Sequence, residues 1–140
     1  GSRLYTANKQ DNTISEFTIN SNGSLGTVSG SPIGETYTGP VSLLIDKSGK
    51  YLYVANQGSS NLAAYSIGSD GGLTLLTNSP FATGSEPSSI AADPSGKYLF
   101  VGNQSSPVIQ SFSLDTNSGA LTSVGSYAVP ATPTSIVITP

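Results

Sequence analysis

Short apolar runs alternate with turns of glycine, asparagine and serine along the whole chain. The stretch "YLYVA" (51–55) is continuously apolar, as expected of a strand that is covered on both faces. The stretch "NLAAYSI" (61–67) mostly alternates between apolar and polar residues, which is the period of a strand. The turn "GSDGG" (68–72) tolerates positive φ and leads into "LTLLT" (73–77). This pattern predicts consecutive antiparallel strands.

The same pattern occurs three times. The first copy aligns with the second at an offset of 48 residues, and the second aligns with the third at an offset of 47. The aligned segments are "RLYTANKQDNTISEFTI" (3–19), "YLYVANQGSSNLAAYSI" (51–67) and "YLFVGNQSSPVIQSFSL" (98–114). Pro40, Pro87 and Pro133 also align, each at the start of a further predicted strand. The whole chain is therefore a set of repeats, which we place at about 3–45, 46–92 and 93–140.

Each repeat predicts four short antiparallel strands. Four such strands at a period of about 40–50 residues are typical of propeller blades. A leucine-rich solenoid has a shorter period, and a helical repeat would need a 3.6-residue periodicity that this chain lacks. We therefore predict an all-β fold, a β-propeller of four-stranded antiparallel blades, with three blades in a single segment that covers residues 1–140.

One of the three blades is split between the two ends of the sequence. The first strand, "RLYTA" (3–7), matches the second strand of a blade, and "PTSIVITP" (133–140) matches an innermost strand. Three blades cover only part of a ring, because known propellers hold about four to eight, and exposed strand edges invite pairing with another chain. We expect a homo-oligomer, with six blades from two chains favoured over nine from three. The expected closing strands carry Leu4, Tyr5, Ile136 and Ile138.

The composition excludes several kinds of site. The chain has no cysteine and no histidine, so it lacks disulfides, thiolates and the commonest general base and metal ligand. Its 5 basic residues cannot form the stripe that nucleic-acid binding needs. No apolar run reaches the roughly 18–20 residues of a membrane span. We expect no cofactor, no metal and no signal peptide, and the composition leaves the compartment open.

The repeated strand carries a recognisable motif. The residues "YVAN" (53–56), with the variants "YTAN" (5–8) and "FVGN" (100–103), resemble the lactonase-type, YVTN-repeat β-propellers across all three repeats. The resemblance implies a family that is usually seven-bladed and that includes 6-phosphogluconolactonase-like proteins, a muconate-type cyclising enzyme and surface or periplasmic proteins. The motif builds blades, and the resemblance assigns no catalytic residue to this chain.

The loops at one end of the predicted blades should gather at the mouth of the channel. Loops on a rigid scaffold are where binding usually occurs. The charged residues of these loops are Lys9, Asp11, Glu35 and Glu86. They could form a polar ring for a small neutral or cationic ligand, or they could only keep the surface soluble. Glu35 and Glu86 would serve acid–base chemistry if their carboxyl groups met.

Two recurring polar positions favour a structural role. Asn8, Asn56 and Asn103 end equivalent strands, where asparagine shapes turns by bonding to its own backbone. Their amides could alternatively point at a ligand. Asp46 and Asp93 each precede a Ser-Gly-Lys turn, which they should cap.

These observations support two functional hypotheses. The first is a self-assembling propeller module without a catalytic constellation, either a natural fragment or an engineered derivative of a lactonase-like propeller. The residues Gly1-Ser2 would suit the remnant of a cleaved tag. The alternative is a sugar-lactone hydrolase, or a binder of small ligands, that acts at the channel mouth. No serine has a histidine or lysine base in an identifiable motif, so no catalytic residue is predicted.

Overall fold

Every regular element is a β-strand in the computed structural model, which describes residues 2–139. The predicted segment 1–140 therefore extends one residue beyond the described part at each end. Within residues 2–139 no helix is long and apolar enough to cross a membrane. The strands are β1 (Ser2–Asn8), β2 (Thr13–Ile19), β3 (Leu25–Thr27), β4 (Ile33–Gly34), β5 (Pro40–Ile45), β6 (Tyr51–Asn56), β7 (Asn61–Ile67), β8 (Leu73–Leu75), β9 (Phe81–Ala82), β10 (Pro87–Ala92), β11 (Tyr98–Asn103), β12 (Val108–Leu114) and β13 (Leu121–Ala128).

The described strands form three antiparallel sheets, and the second and third sheets each take their inner strand, β5 or β10, from the end of the preceding repeat. The first sheet has the order β1-β2-β3, with β4 also paired to β2. The second has the order β5-β6-β7-β8, with β9 also paired to β7, and the third has the order β10-β11-β12-β13. These sheets of four or five strands confirm the all-β, propeller-like fold that the repeats predict.

The sequence predicts one outer strand in each repeat, and the outer edges of the first two sheets differ from this prediction. In the second sheet the outer strand β8 ends at Leu75. The two-residue strand β9 then pairs with the other end of β7. Pro32 and Pro80 stand between the two short outer strands of their sheets, where they have no N–H to give to the ladder. The third sheet has no proline at this point, and β13 runs along β12 for eight residues.

The inner strands share one register. Pro40 lies opposite Asn56 and Pro87 lies opposite Asn103, and each pair is followed by a bulge. The first sheet lacks such an inner strand within residues 2–139, since β1 pairs only with β2. The sequence predicts an innermost strand at 133–140, but residues 133–139 adopt no strand conformation in the single chain, and residue 140 lies outside the described residues. The interchain pairing expected for them stays a prediction.

Two apolar clusters join the sheets. The cluster between the first and second sheets includes Ile14, Leu52, Val54, Ala63 and Tyr65, all buried. The cluster between the second and third sheets includes Tyr53, Leu62, Leu99, Val101 and Phe112. Each sheet therefore buries its flank against the next one, and the middle sheet is covered on both sides.

Polar side chains fasten each sheet to a turn of the next. Tyr5 donates its hydroxyl hydrogen to the carbonyl oxygen of Gly71 at 2.7 Å, and Tyr53 donates to Gly119 at 2.8 Å. Both bonds join residues that are 66 positions apart, and they satisfy carbonyl groups at the sheet interface. A buried carbonyl without a partner would cost free energy, so these bonds help to hold adjacent sheets together.

We expect Tyr53→Phe to lower the free energy of unfolding by about 1–2 kcal/mol, because the Gly119 carbonyl loses its donor in a buried setting. Tyr127→Phe is the matched control, since this side chain is exposed, and we expect a change within about 0.5 kcal/mol. Urea denaturation followed by circular dichroism measures both. Equal effects of the two substitutions would contradict the proposed role of the hydroxyl.

Candidate functional site

The loops that the sequence predicts to meet at one mouth do lie against each other. The hairpin loops 9–12, 57–60 and 104–107 are contacted by loops 35–39 and 83–86, which lead into the inner strands. The Gly39 N–H donates to Oδ1 of Asn12 at 2.7 Å, and the Thr38 N–H donates to Oγ of Ser59 at 2.8 Å. This end of the sheets is therefore a continuous polar surface.

Lys9 begins a ladder of side chains across all three sheets. Its Nζ donates to Oε1 of Gln57 at 2.6 Å, and Nε2 of Gln57 donates to Oε1 of Gln104 at 3.0 Å. Because an ammonium group can only donate, Lys9 sets the direction of the amides that follow. Sequence reasoning named Lys9 and missed the two glutamines, although the repeat alignment places them at equivalent positions.

Glu35 lies half-buried between the first and second sheets. Its Oε1 accepts a hydrogen bond from the Tyr65 hydroxyl at 2.7 Å, and its Oε2 is buried without a partner among the described residues. Burial raises the pKa of this carboxyl group, and the donors Tyr65, Asn56 and the Tyr37 N–H only partly oppose the shift. Burial and the adjacent Glu35 also raise the pKa of the Tyr65 hydroxyl. Glu35 is therefore part of a sheet interface.

Asp11 and Glu86 are exposed in their loops. Glu86 has a positive φ of 56°, and its carbonyl oxygen accepts the N–H of Gln104 at 2.9 Å. Within residues 2–139 the hydrogen bond of the Glu35 carboxylate goes to Tyr65, and none joins it to Glu86. The structure therefore brings the two carboxylates to the same end of the sheets without pairing them.

The recurring asparagines close their own hairpins. Nδ2 of Asn8 donates to Oγ1 of Thr13 at 2.9 Å, and Nδ2 of Asn56 donates to Oδ1 of Asn61 at 3.1 Å. Asn103 does the same to the carbonyl oxygen of Val108 at 3.4 Å. These asparagines therefore hold hairpin turns as predicted, but Asn8 and Asn56 do so through side chains across the hairpin and not through their own backbone.

The two repeated aspartates cap their turns as predicted. Oδ1 of Asp46 accepts the N–H groups of Lys50 and Tyr51, both at 2.8 Å. Asp93 makes the equivalent bonds, and the Ser95 hydroxyl with neighbouring backbone N–H groups holds the pKa of its carboxyl group below the usual value. These carboxylates are occupied by backbone donors of their own turns.

The repeated sheets, their shared register and their motif residues can be compared with known protein families. The family model described as "Lactonase, 7-bladed beta-propeller" matches residues 1–138. The chain belongs to this lactonase family. The resemblance carried by the "YVAN" motif is thereby confirmed, and the motif residues of this lactonase-family chain build its sheets. Tyr53 fastens one sheet to the next, and Asn56 closes a hairpin.

Solved structures show the same fold. A "putative 6-phosphogluconolactonase" from Bacteroides fragilis is 27% identical, with a TM-score of 0.84 over 95% of this chain and 37% of its own. A protein of the same description from Bacteroides uniformis is 24% identical, with a TM-score of 0.87 over 100% of this chain and 42% of its own. The periplasmic gluconolactonase PpgL of Pseudomonas aeruginosa is 24% identical, with a TM-score of 0.78 over 94% of this chain and 38% of its own. The last two show the fold alone.

This lactonase-family chain spans only about two fifths of the length of these solved structures. No curated protein sequence matches it. The comparisons therefore establish the family and the fold.

We expect Glu35→Gln to remove a pH dependence of stability. Burial raises the pKa of the Glu35 carboxyl group in the folded state above its value of about 4.3 in the unfolded state. Between these two pKa values the folded state therefore binds more protons than the unfolded state. The wild-type chain should therefore lose stability relative to Glu35→Gln as the pH rises through this window. Denaturation midpoints between pH 4 and 8 measure the difference. The exposed Glu86→Gln is the control and should follow the wild-type curve, whereas a Glu35→Gln curve parallel to wild type would contradict the assignment.

Proposed function

We propose that the chain is a self-assembling propeller segment, of which two copies close a six-bladed ring. Residues 134–139 of each copy supply the innermost strand of the other copy's first sheet. The observation that carries the proposal is the inner edge of β1, which lacks within residues 2–139 the partner that β6 and β11 have.

The sequence of residues 134–139 suits that position. "TSIVIT" (134–139) aligns with "VSLLID" (41–46) and "SSIAAD" (88–93), which contain most of β5 and β10. All three follow a proline, and Pro40 and Pro87 begin β5 and β10. A segment with this pattern and no ladder partner has unpaired backbone groups, which pairing with a free strand edge would satisfy.

The segment also lies beside the third sheet, where the inner strand of a following sheet belongs. The Ser88 hydroxyl donates to the carbonyl oxygen of Pro133 at 2.6 Å, and a Cβ at Gly102 would lie 3.3 Å from Cδ1 of Ile136. The repeat equivalents of Gly102 and Ile136 are Ala55 and Ile90, which pack in one apolar cluster. The position of the segment thus supports a continuation of the ring.

A buried hydroxyl group supports the same arrangement. Oγ of Ser42 on the second sheet accepts the N–H of Ile90 at 3.2 Å. Ser89 is the equivalent residue of the third sheet, and its Oγ is buried without a partner among the described residues. By repeat equivalence the N–H of Ile136 would donate to it once residues 134–139 are held in strand conformation.

The internal sheets supply the register of the proposed joint. Ile45 lies opposite Leu52 and Ala92 lies opposite Leu99. The equivalent pair is Ile138 with Leu4 of the second copy. Two copies of three sheets give six blades, which lies within the range of about four to eight in known propellers, whereas three copies would exceed it.

A pair of cysteines tests this register in a chain that has no cysteine of its own. We expect Leu4→Cys/Ile138→Cys to form a covalent dimer on oxidation, seen on a non-reducing gel, and the wild-type chain to show twice 14.2 kDa by light scattering. The control Leu4→Cys/Val137→Cys should cross-link poorly, because a shift of one residue turns the side chain to the other face. A wild-type chain that stays monomeric at all concentrations, or a disulfide within one chain, would overturn the proposal.

A second candidate function is hydrolysis of a sugar lactone. The family assignment and the name of the neighbour from B. fragilis favour it. Glu86, like Asp11, is an exposed carboxylate at the strand ends, whereas the Glu35 carboxylate is engaged by Tyr65.

Under the assembly proposal we expect the assembled chain to hydrolyse glucono-δ-lactone no faster than the uncatalysed rate, measured by acid release at constant pH. A rate above this background that disappears in Glu86→Gln or Glu35→Gln would make lactone hydrolysis the function instead.

A further inference from the structure

Each internal interface seats a turn of one sheet in a groove on the preceding sheet. In the first groove Tyr5 and Arg3 donate to the carbonyl oxygens of Gly71 and Asp70. In the second groove the hydroxyl groups of Tyr51 and Tyr53 donate to Asn117 and Gly119, at 2.6 and 2.8 Å. The contact is thus built the same way twice.

The third sheet has an equivalent groove that stands open. It forms a cavity of about 520 Å³, lined by Ser95, Lys97, Tyr98, Ser113, Leu114, Asp115 and Thr116. Tyr98 is the repeat equivalent of Tyr51, and it is 44% exposed where Tyr51 is 8% exposed. The groove therefore presents on the flank of the molecule a surface that the second sheet buries.

The first sheet has an equivalent turn that contacts no groove within residues 2–139. In turn 20–24 the Gly23 N–H donates to the Asn20 carbonyl oxygen at 2.9 Å, as the Gly71 N–H donates to Gly68 at 2.9 Å. The residue after this turn, Leu25, is 49% exposed, whereas its equivalent Leu121 is 7% exposed. The turn is therefore preformed in the shape that fills a groove.

The space around each turn glycine shows whether its groove is occupied. A Cβ added to Gly119 would lie 2.6 Å from the Tyr51 ring, and one added to Gly71 would meet Glu16 and Arg3. A Cβ added to Gly23 would meet nothing within 4 Å. A turn that occupies a groove therefore needs glycine at the position of Gly71 and Gly119. Gly23 is the glycine at this position of turn 20–24, although that turn occupies no groove within residues 2–139.

We propose that the open groove of the third sheet binds turn 20–24 of a second copy. By repeat equivalence the Tyr98 hydroxyl donates to the Asn22 carbonyl of the second copy, and Gly23 of that copy packs against the Tyr98 ring. This assignment rests on the ring proposed above and names the side chains of its joint. The turn has no charged residue, so it can enter a groove that already holds Lys97 and Asp115 without burying a further charge.

The joint between copies lacks one hydrogen bond that both internal joints have. Tyr5 and Tyr53 each donate to the turn glycine, but their equivalent in the third sheet is Phe100, which has no hydroxyl. The groove between copies is therefore the weakest of the joints, which favours reversible assembly.

Phe100→Tyr tests this assignment by gain of binding. The new hydroxyl should donate to the Gly23 carbonyl of the second copy, and we expect the dissociation constant of the dimer to fall roughly two- to tenfold for each groove. Sedimentation equilibrium measures it. Combined with Gly23→Ala, the same substitution should lose its effect, because the turn can no longer seat.

Gly23→Ala tests it by loss of binding. We expect the dimer to dissociate at least tenfold more readily, because the added Cβ meets the Tyr98 ring. Gly30→Ala is the matched control, since Gly30 also has a positive φ (86° against 82°) and open space around it. Both variants carry the same backbone strain, so only the groove contact separates them.

The outcomes distinguish the two proposals. A chain that is monomeric at every concentration overturns the ring and the groove together. A dimer whose dissociation constant is the same in wild type, Phe100→Tyr and Gly23→Ala overturns the groove assignment and leaves the ring standing.

Discussion

The burial of one sheet's flank against the next is the interaction on which the whole structure depends. Each sheet is a single layer, and its strands can remove their apolar side chains from water only against a neighbouring sheet. The middle sheet shows the result, since Leu52 and Val54 face one neighbour, and Tyr53 and Leu62 face the other. At roughly 25 cal/mol per Å² of apolar surface, this face-to-face contact outweighs any single hydrogen bond at the interface.

The same constraint explains the character of the two outer flanks. The first and third sheets present side chains that the repeat buries elsewhere, with Tyr98 on one flank and Leu25 on the other. A chain that stabilises its sheets by neighbours gains further stability when those flanks are covered, so folding and association are coupled in the proposed ring. Within the chain, the hydroxyl groups of Tyr5 and Tyr53 hold a turn of the following sheet in each internal groove.

The polar end of the sheets illustrates how a family motif and a site can differ. The motif residues Tyr53 and Asn56 serve the interfaces and hairpins, so they mark membership of the lactonase family without marking its chemistry. The loops carry the variable groups, among them the ladder that begins at Lys9. A carboxyl group in such a loop need not face solvent, as Glu35 demonstrates through its bond to Tyr65.

The sequence by itself determined most of the strands, the three-fold repetition, the family and the hairpin and turn positions of Asn8, Asp46 and their equivalents, because these follow from local patterns in the chain. It did not determine the conformation of residues 133–139, which form no strand in the single chain. The tertiary structure decided what depends on distant residues. It placed Glu35 against Tyr65, split the outer strands at Pro32 and Pro80, and seated Gly119 on Tyr51. The physical reason is that periodicity records which face of a strand is apolar, whereas the partner of that face is chosen by the packing of whole sheets, which local sequence does not encode.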